Sequence, residues 1–226
     1  MALILSIESA TKNCSVCVAQ EGEISAIKEL REEKFSHSEK LHSFVLEVMS
    51  SSGHELSDID AVAVSKGPGS YTGLRIGVST AKGLCYALDK PLISVPTLES
   101  LARQVVPSEN ELIIPLLDAR RMEVYSAVFD SRYSQIRETQ AEVIEENSFS
   151  EFLERSRVCF LGDGAEKTKS VIRHPNAVFI DNRYPSARET AILAEIRYQQ
   201  QSFEDLAYFE PYYLKDFIAG KPKRYF

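Results

Sequence analysis

The first part of the chain alternates between short apolar runs and polar turns, as strands do. Residues 3–8 read LILSIE, an apolar run that ends in a carboxylate, and residues 14–19 read CSVCVA, with alternating apolar positions. Both predict strands, and further strands are predicted near Glu23–Leu30 and at 61–65, which reads AVAVS. Three strands in succession and a later fourth therefore open the chain.

Two helices are predicted, one after the third strand and one after the fourth. The first runs from Ser36 to about Ser51, because its apolar residues recur three and four positions apart and form a one-sided stripe. That stripe consists of Leu41, Phe44, Val45, Val48 and Met49. The second helix runs from about Gly73 to Leu88.

The second half of the chain repeats this pattern with an offset of 110 residues. Residues 113–118 read IIPLLD and match 3–8, and residues 124–129 read VYSAVF and match 14–19. The strand, its terminal acid, the turn and the next strand all stay in register, which favours a duplicated unit over chance similarity between two β-rich stretches. A third strand is again predicted, near Ser134–Val143.

The remaining elements predict an α/β protein with two tandem βββαβα-type halves. In the second half a strand and three helices are predicted, at 158–162 and near 148–155, 164–173 and 186–200. A polar, turn-prone stretch within 97–110 predicts the boundary between the halves. We therefore expect an N-terminal half over 1–100, which binds a partner, and a C-terminal half over 101–226.

A glycine-rich loop lies between the fourth strand and the second helix. Residues 65–75 read SKGPGSYTGLR, and Gly67 and Gly69 would let the backbone approach an anion at the start of the helix. The spacing fits neither the Walker phosphate loop nor the dinucleotide-binding fingerprint. A ligand loop and a tight turn, with Thr72 as the helix cap, are both consistent with these residues.

Inside the second helix, Gly73, Gly77 and Ala81 recur every four residues and form a smooth strip on one face. A glycine costs a soluble helix roughly 1 kcal/mol relative to alanine, so a close neighbour is expected on this strip. The neighbour could be the chain's own sheet or a partner helix. Our hypothesis is a partner helix, with the apolar stripe of the preceding helix (41–48) as the other half of the same surface.

Each half places a carboxylate at the end of its first strand, Glu8 in one and Asp118 in the other. Such a pair could hold a magnesium nucleotide between the halves, although the residues alone slightly favour solvated turns. Cys14 and Cys17 form a CxxC pattern, but residues three apart on a strand point to opposite faces and cannot share a metal.

The composition fits a soluble chain of one large or two small domains, with 44% hydrophobic and 26% charged residues in 226. Four cysteines are few for a secreted disulfide scaffold, and no apolar run approaches the ~18 residues of a membrane span. We therefore expect a cytoplasmic protein without membrane contact. The formal charge of −7 excludes RNA binding by bulk charge, so any RNA contact must be local or shared with a partner.

Several segments together resemble the bacterial TsaB (YeaZ) family. They read IESATKNCSVCVA, HSEKLH, SKGPGSYTGLRIGVSTAKGLCYALDKPLISVPTLESLA, LLDARRMEVYSAVF, GDG (162–164) and PYYLK (211–215). The resemblance implies the actin-like, sugar-kinase-like ATPase fold and a role in making threonylcarbamoyladenosine beside the tRNA anticodon. It also implies two partners, a TsaD-like catalytic subunit and a TsaE-like ATPase. Any residual contacts with a nucleotide are expected at Glu8, Gly67, Gly69, Thr72, Asp118, Gly162 and Gly164.

The chain departs from the catalytic relative at the positions that carry its chemistry. By resemblance, two metal-binding histidines four residues apart in that relative correspond here to Thr97 and Leu101. Acidic residues after the relative's first strand are replaced by Lys12 and Asn13. Since neither Thr97 nor Leu101 can replace an imidazole, we expect a non-catalytic paralogue with no metal and no cofactor, which meets tRNA only through the complex.

Two other classes of function stay open. One is an autonomous actin-like ATP-binding enzyme that uses Glu8 and Asp118, and the other is a homodimeric binding module with no role in a complex. A homodimer is also a possible state of the isolated chain. An older interpretation of these folds as metal-dependent glycoproteases fails on the same missing ligands.

Overall fold

The computed structural model of the protein describes residues 2–32 and 37–215, with side chains at all of these except 37 and 38. The first half contains β1 (Leu3–Glu8), β2 (Asn13–Gln20), β3 (Glu23–Arg31), α1 (His37–Ser52), β4 (Ala61–Gly67), α2 (Tyr71–Leu88), β5 (Leu92–Pro96) and α3 (Thr97–Ala102). The second half contains β6 (Leu112–Asp118), β7 (Glu123–Phe129), β8 (Gln135–Val143), α4 (Ser150–Leu153), β9 (Val158–Leu161), α5 (Ala165–Thr168), β10 (Ala177–Ile180) and α6 (Ala187–Gln199). The predicted first residue of α1, Ser36, lies outside the described residues. Within the described ranges, no helix has both the length and the apolar character of a membrane span.

Both halves form a five-stranded sheet with the same strand order. The orders are β3-β2-β1-β4-β5 and β8-β7-β6-β9-β10, each read from its hairpin edge. In each sheet the first three strands are antiparallel neighbours; the central strand then pairs in parallel with the fourth strand, which pairs in parallel with the fifth. Glu8 and Asp118 therefore end equivalent central strands, which confirms the duplication predicted from the sequence.

The apolar side chains of β1 divide between the two faces of its sheet, as the alternation of a strand requires. Leu3, Leu5 and Ile7 lie in the core formed with α1 and α2. Ile4 lies in a second core that includes Leu193 of α6. Because helices cover both faces of the sheet, the central strand is apolar on both sides, and its sequence reads as a continuous apolar run.

One helix of each half packs on the sheet of the other half. By sequence α6 follows the second sheet, but it packs on the first one and contacts all five of its strands. In the opposite direction, α3 follows β5 and packs Leu98 and Leu101 against Ile113 of β6 in the core of the second sheet. The boundary predicted between 1–100 and 101–226 thus separates the two sheets but not these two helices.

The last described residues return to the first half. Residues 205–215, which we call the C-terminal strap, lie along α2 and the loop before it. Phe209 packs against the core under α1 and α2. The Tyr212 N–H donates to the carbonyl oxygen of Lys66 at 2.7 Å. The strap therefore holds the end of β4 from the outside.

The sequence patterns missed β5, α3 and β10. β5 reads LISVP and β10 reads AVFI, and periodicity cannot separate such short apolar runs from connecting segments. The helices predicted near 148–155 and 164–173 are four-residue helices, α4 and α5, which continue only as turns. The other predicted strands and helices are present, with ends that differ by a few residues.

Candidate functional site

The glycine loop between β4 and α2 closes on the turn after β1. The Ser70 N–H donates to the carbonyl oxygen of Ala10 at 2.6 Å. A Cβ at Gly69 would lie 2.5 Å from the same oxygen, so this close approach requires glycine. The helix cap is Ser70, whose Oγ accepts the Gly73 N–H at 3.3 Å, and not Thr72, which is exposed. The prediction of Thr72 as the cap was wrong by two residues.

The strap covers the other side of this loop. Gly67 has a φ of +110°, and a Cβ there would lie 2.7 Å from the carbonyl oxygen of Tyr212. Both glycines of the loop are therefore explained by contact with the chain's own backbone. The tight-turn interpretation accounts for them without a bound phosphate.

The small-residue strip of α2 faces the chain's own sheet, which corrects the hypothesis that a partner helix covers it. Gly73, Gly77 and Ala81 are all buried. A Cβ at Gly77 would lie 2.1 Å from Oγ of Ser9, which itself donates to the Gly73 carbonyl oxygen at 2.9 Å. Gly77 is thus small because the turn after β1 passes directly over α2.

The apolar stripe of α1 is buried as well, so its proposed role as a partner surface is wrong for these side chains. They are at most 4% exposed and form one core with β1, β2 and β4. The residues concerned are Leu41, Phe44, Val45 and Val48. The sheet beneath α1 covers these apolar side chains, so any contact with a partner must involve other residues of α1.

Glu8, at the end of β1, is fully buried. Its Oε1 accepts the Ala10 N–H at 2.7 Å, while Oε2 has no hydrogen-bond partner within the described part of the chain. Burial raises the pKa of this carboxyl from 4.5 to about 7, because the charged form loses more by leaving water than the nearby N–H groups return. Glu8 is therefore only partly ionised at neutral pH.

Replacement of Glu8 by glutamine is expected to raise the free energy of unfolding above neutral pH. The folded-state pKa lies above the unfolded one, so the stabilisation from the protonated carboxyl is complete below about pH 4.5 and is lost as the pH rises through about 7. Glutamine cannot ionise, and Glu8→Gln should therefore gain about 2 kcal/mol over the native chain at about pH 8.5 and little at about pH 5. Urea unfolding at both pH values measures the gain.

The matched control is Glu23→Gln, at an exposed position at the start of β3. This variant should unfold like the native chain at both pH values. A gain for Glu8→Gln that is the same at both pH values would show that ionisation of Glu8 does not oppose folding.

Asp118, the equivalent acid of the second half, lies in a different environment. Its side chain is 46% exposed and forms an ion pair with Lys167. Lys167 Nζ also donates to the carbonyl oxygens of Arg121 at 2.8 Å and Glu123 at 2.6 Å. The ammonium group therefore already neutralises the acid that a metal ion would need.

The GDG turn packs against the end of β6. Gly162 has a φ of +110°, and a Cβ there would lie 2.2 Å from the Leu116 carbonyl oxygen, which also accepts the Gly164 N–H at 3.0 Å. Asp163 accepts the Asp118 N–H at 3.0 Å, and burial raises the pKa of Asp163 to about 6. As in the first half, backbone packing is sufficient to explain the glycines.

Thr97 and Leu101, the two positions at which the resemblance implies histidines in the catalytic relative, are filled by packing residues. Thr97 is buried, and its Oγ1 lies 2.8 Å from Oγ of Ser65 in a hydrogen bond. Leu101 is buried in the core of the second sheet, with Cδ2 only 2.9 Å from where a Cβ of Gly162 would lie. These side chains stabilise the junction of the halves and offer no strong metal ligand.

The predicted site residues fall into two groups. Glu8 meets the glycine loop through Ala10, and Asp118 meets the GDG turn. Sequence reasoning missed Ser65 and Lys167, which complete these groups. Ser65 could have been suspected from its place at the end of β4, but the pairing of Lys167 with an acid 49 residues earlier depends on how α5 packs beside β6.

A sequence model of the TsaD family, described as tRNA N6-adenosine threonylcarbamoyltransferase, matches residues 31–222. The chain belongs to this family. Within the TsaD family, its curated relatives include the tRNA threonylcarbamoyladenosine biosynthesis protein TsaB of Escherichia coli, 29% identical over 226 residues that cover 96% of each chain. The TsaB protein of Haemophilus influenzae is 28% identical over 229 residues, which cover 96% of this chain and 95% of its own.

A solved structure shows the same architecture. YeaZ from Pseudomonas aeruginosa matches with a TM-score of 0.83 at 23% identity, over 95% of this chain and all of its own. This likeness concerns the fold. Together with the paired sheets of equal strand order, it confirms the actin-like, sugar-kinase-like fold that the resemblance predicted.

Proposed function

We propose that the chain is a non-catalytic subunit required for threonylcarbamoyl transfer to the adenosine 3′ of the anticodon in tRNA. It acts in the cytoplasm with a TsaD-like catalytic subunit and a TsaE-like ATPase. The membership of the TsaD family and the relatives named TsaB support the pathway. The observation that carries the non-catalytic role is the packing at Thr97 and Leu101, where a hydroxyl bonded to Ser65 and a buried leucine stand for the relative's histidines.

The acids of the two halves support the same role. Glu8 is buried and only partly ionised at neutral pH, and Asp118 is paired with Lys167. A magnesium nucleotide held between them would have to displace Lys167 and ionise Glu8. This argues against the alternative of an autonomous ATP-binding enzyme that uses these two residues.

The outer face of α1 and α2 is the proposed docking surface for the catalytic subunit. Leu46 on α1 is 62% exposed and Tyr86 on α2 is 84% exposed. Gly83 on α2 is exposed too, and a Cβ there would meet nothing within 4 Å. Nothing in the free chain requires this glycine, which costs the helix roughly 1 kcal/mol, whereas a partner helix at short distance would require it. The same surface would pair two copies when the catalytic subunit is absent.

Reconstitution of the modification tests the proposed function. With purified catalytic subunit, ATPase, ATP, preformed threonylcarbamoyl-adenylate as the donor and unmodified tRNA, threonylcarbamoyladenosine should form when this chain is present and fall at least about tenfold when it is omitted. The chain alone should form none. Turnover by the chain alone would establish an enzyme, and full activity without it would remove it from the pathway.

A further inference from the structure

Two stretches of this acidic chain contain no aspartate or glutamate and meet in the fold. They are residues 9–20 and 61–88, in a protein with a formal charge of −7. The Ser70 N–H donates to the Ala10 carbonyl oxygen at 2.6 Å, so the stretches lie side by side at the start of α2. Their cationic residues are Lys12, Lys66, Arg75 and Lys82.

Among the residues that the structure describes, these four cations have no carboxylate partner in an ion pair. Within residues 2–32 and 37–215, none of them forms an ion pair, whereas Lys28, Lys167 and Lys169 each do. Lys12 and Arg75 are also exposed. The positive charge of Lys12 and Arg75 at the start of α2 is therefore outside any ion pair of the described residues and faces solvent, with Glu210 of the strap as the acid that faces Arg75.

The C-terminal strap adds tyrosine rings beside these cations. Tyr208 is 84% exposed and lies between two residues whose carbonyl oxygens accept hydrogen bonds from Lys82, at 3.3 and 3.0 Å. Tyr212 is 42% exposed, and its N–H bonds to Lys66. The strap backbone beside each exposed tyrosine is thus hydrogen-bonded to a lysine residue of the first half.

The side chain of Arg75 is held in place before any ligand arrives. Its guanidinium lies 4.5 Å from the centroid of the Tyr71 ring, and its Nε donates to the hydroxyl of Tyr213 at 3.2 Å. The two rings are themselves 4.7 Å apart. A guanidinium fixed in this way loses little further side-chain entropy when it binds, and its planar fork suits phosphate oxygens.

We propose that this surface contacts a single-stranded segment of the tRNA, with phosphates on the cations and bases stacked on the exposed tyrosines. We call it the basic-aromatic patch, and it consists of Lys12, Lys66, Arg75, Lys82, Tyr208 and Tyr212. Exposed cations with interleaved aromatic rings are how proteins bind unpaired strands, because every base has a face to stack. The proposal rests on the proposed function, which brings tRNA to the complex.

The experiment uses the reconstituted complex and compares tRNA binding by fluorescence anisotropy with the steady-state KM for tRNA. Lys12→Gln combined with Arg75→Gln should raise the dissociation constant and the KM for tRNA about tenfold each and leave kcat unchanged. The slope of log affinity against log salt should become shallower by about 0.7 for each cation removed. The matched control is Arg173→Gln, an exposed arginine of the second half, which should change neither quantity.

Two further variants test the patch in opposite directions. Tyr208→Ser should weaken tRNA binding roughly tenfold through the loss of one stacked base. Glu210→Gln removes the exposed acid of the strap that faces Arg75 and should tighten binding, with a steeper salt dependence.

The outcomes separate this inference from the proposed function. A complex that assembles, modifies tRNA and binds it equally well with every variant would overturn the patch and leave the function standing. If the variants instead weaken binding of the catalytic subunit, measured without RNA, the patch is a protein contact and the inference is wrong. Full modification in the absence of this chain would overturn the function first, and the inference with it.

Discussion

Gly77→Leu is expected to lower the free energy of unfolding by about 3 kcal/mol, the upper part of the range for overpacked cores. A Cβ at this position would lie 2.1 Å from Oγ of Ser9 and 3.6 Å from Cγ2 of Val64, so the new side chain has no space on this face of α2. It would also disturb the hydrogen bond from Ser9 to the Gly73 carbonyl oxygen. Urea unfolding monitored by circular dichroism measures the loss.

A double-mutant cycle isolates the contact that causes this loss. Gly77→Ala should destabilise the chain by about 1 to 2 kcal/mol, and Ser9→Ala by about 1 kcal/mol through its lost hydrogen bond. The double variant should lose less free energy of unfolding than the two single variants added together. Without Oγ, the nearest atom to the new Cβ is Cβ of residue 9 at 3.2 Å. Strict additivity, or no loss in Gly77→Leu, would show that the strip does not pack under the turn after β1.

Gly83→Leu is expected to weaken assembly with the catalytic subunit at least about 100-fold while leaving the chain folded. Gly83 lies on the same helix as Gly77, but on its open side, where an added Cβ meets nothing within 4 Å. Leucine is a better helix former than glycine, so the free energy of unfolding should rise by up to about 1 kcal/mol. Analytical ultracentrifugation of the two purified subunits, together with urea unfolding, measures both effects.

The control for Gly83→Leu is Ser170→Leu, which adds the same side chain at an exposed position of the second half. It should assemble like the native chain. If Gly83→Leu also assembles normally and supports tRNA modification, the partner does not approach α2 at this point. The docking surface would then have to lie elsewhere than beside Leu46 and Tyr86.

Part of the candidate site was predictable because it depends on strand order along the chain. The acids Glu8 and Asp118 follow apolar runs of matching length, and a duplicated strand order places them at equivalent ends of two sheets. The glycine loop was visible from its composition, but its contacts were not. Glycine permits close approach by any neighbour, and here the neighbours are Ala10 and Tyr212, the latter from the far end of the chain.

By itself, the sequence determined the two repeated halves, most strands and the two long helices, since these follow from local periodicity and the burial it allows. It also determined that Thr97 and Leu101 cannot bind a metal ion as a pair of histidine imidazoles would. Only the tertiary structure decided that Gly77 faces Ser9 while Gly83 faces solvent, and that Lys167 neutralises Asp118. The physical reason is that a glycine or a charge does not specify its own neighbour, which depends on how segments distant in sequence pack together.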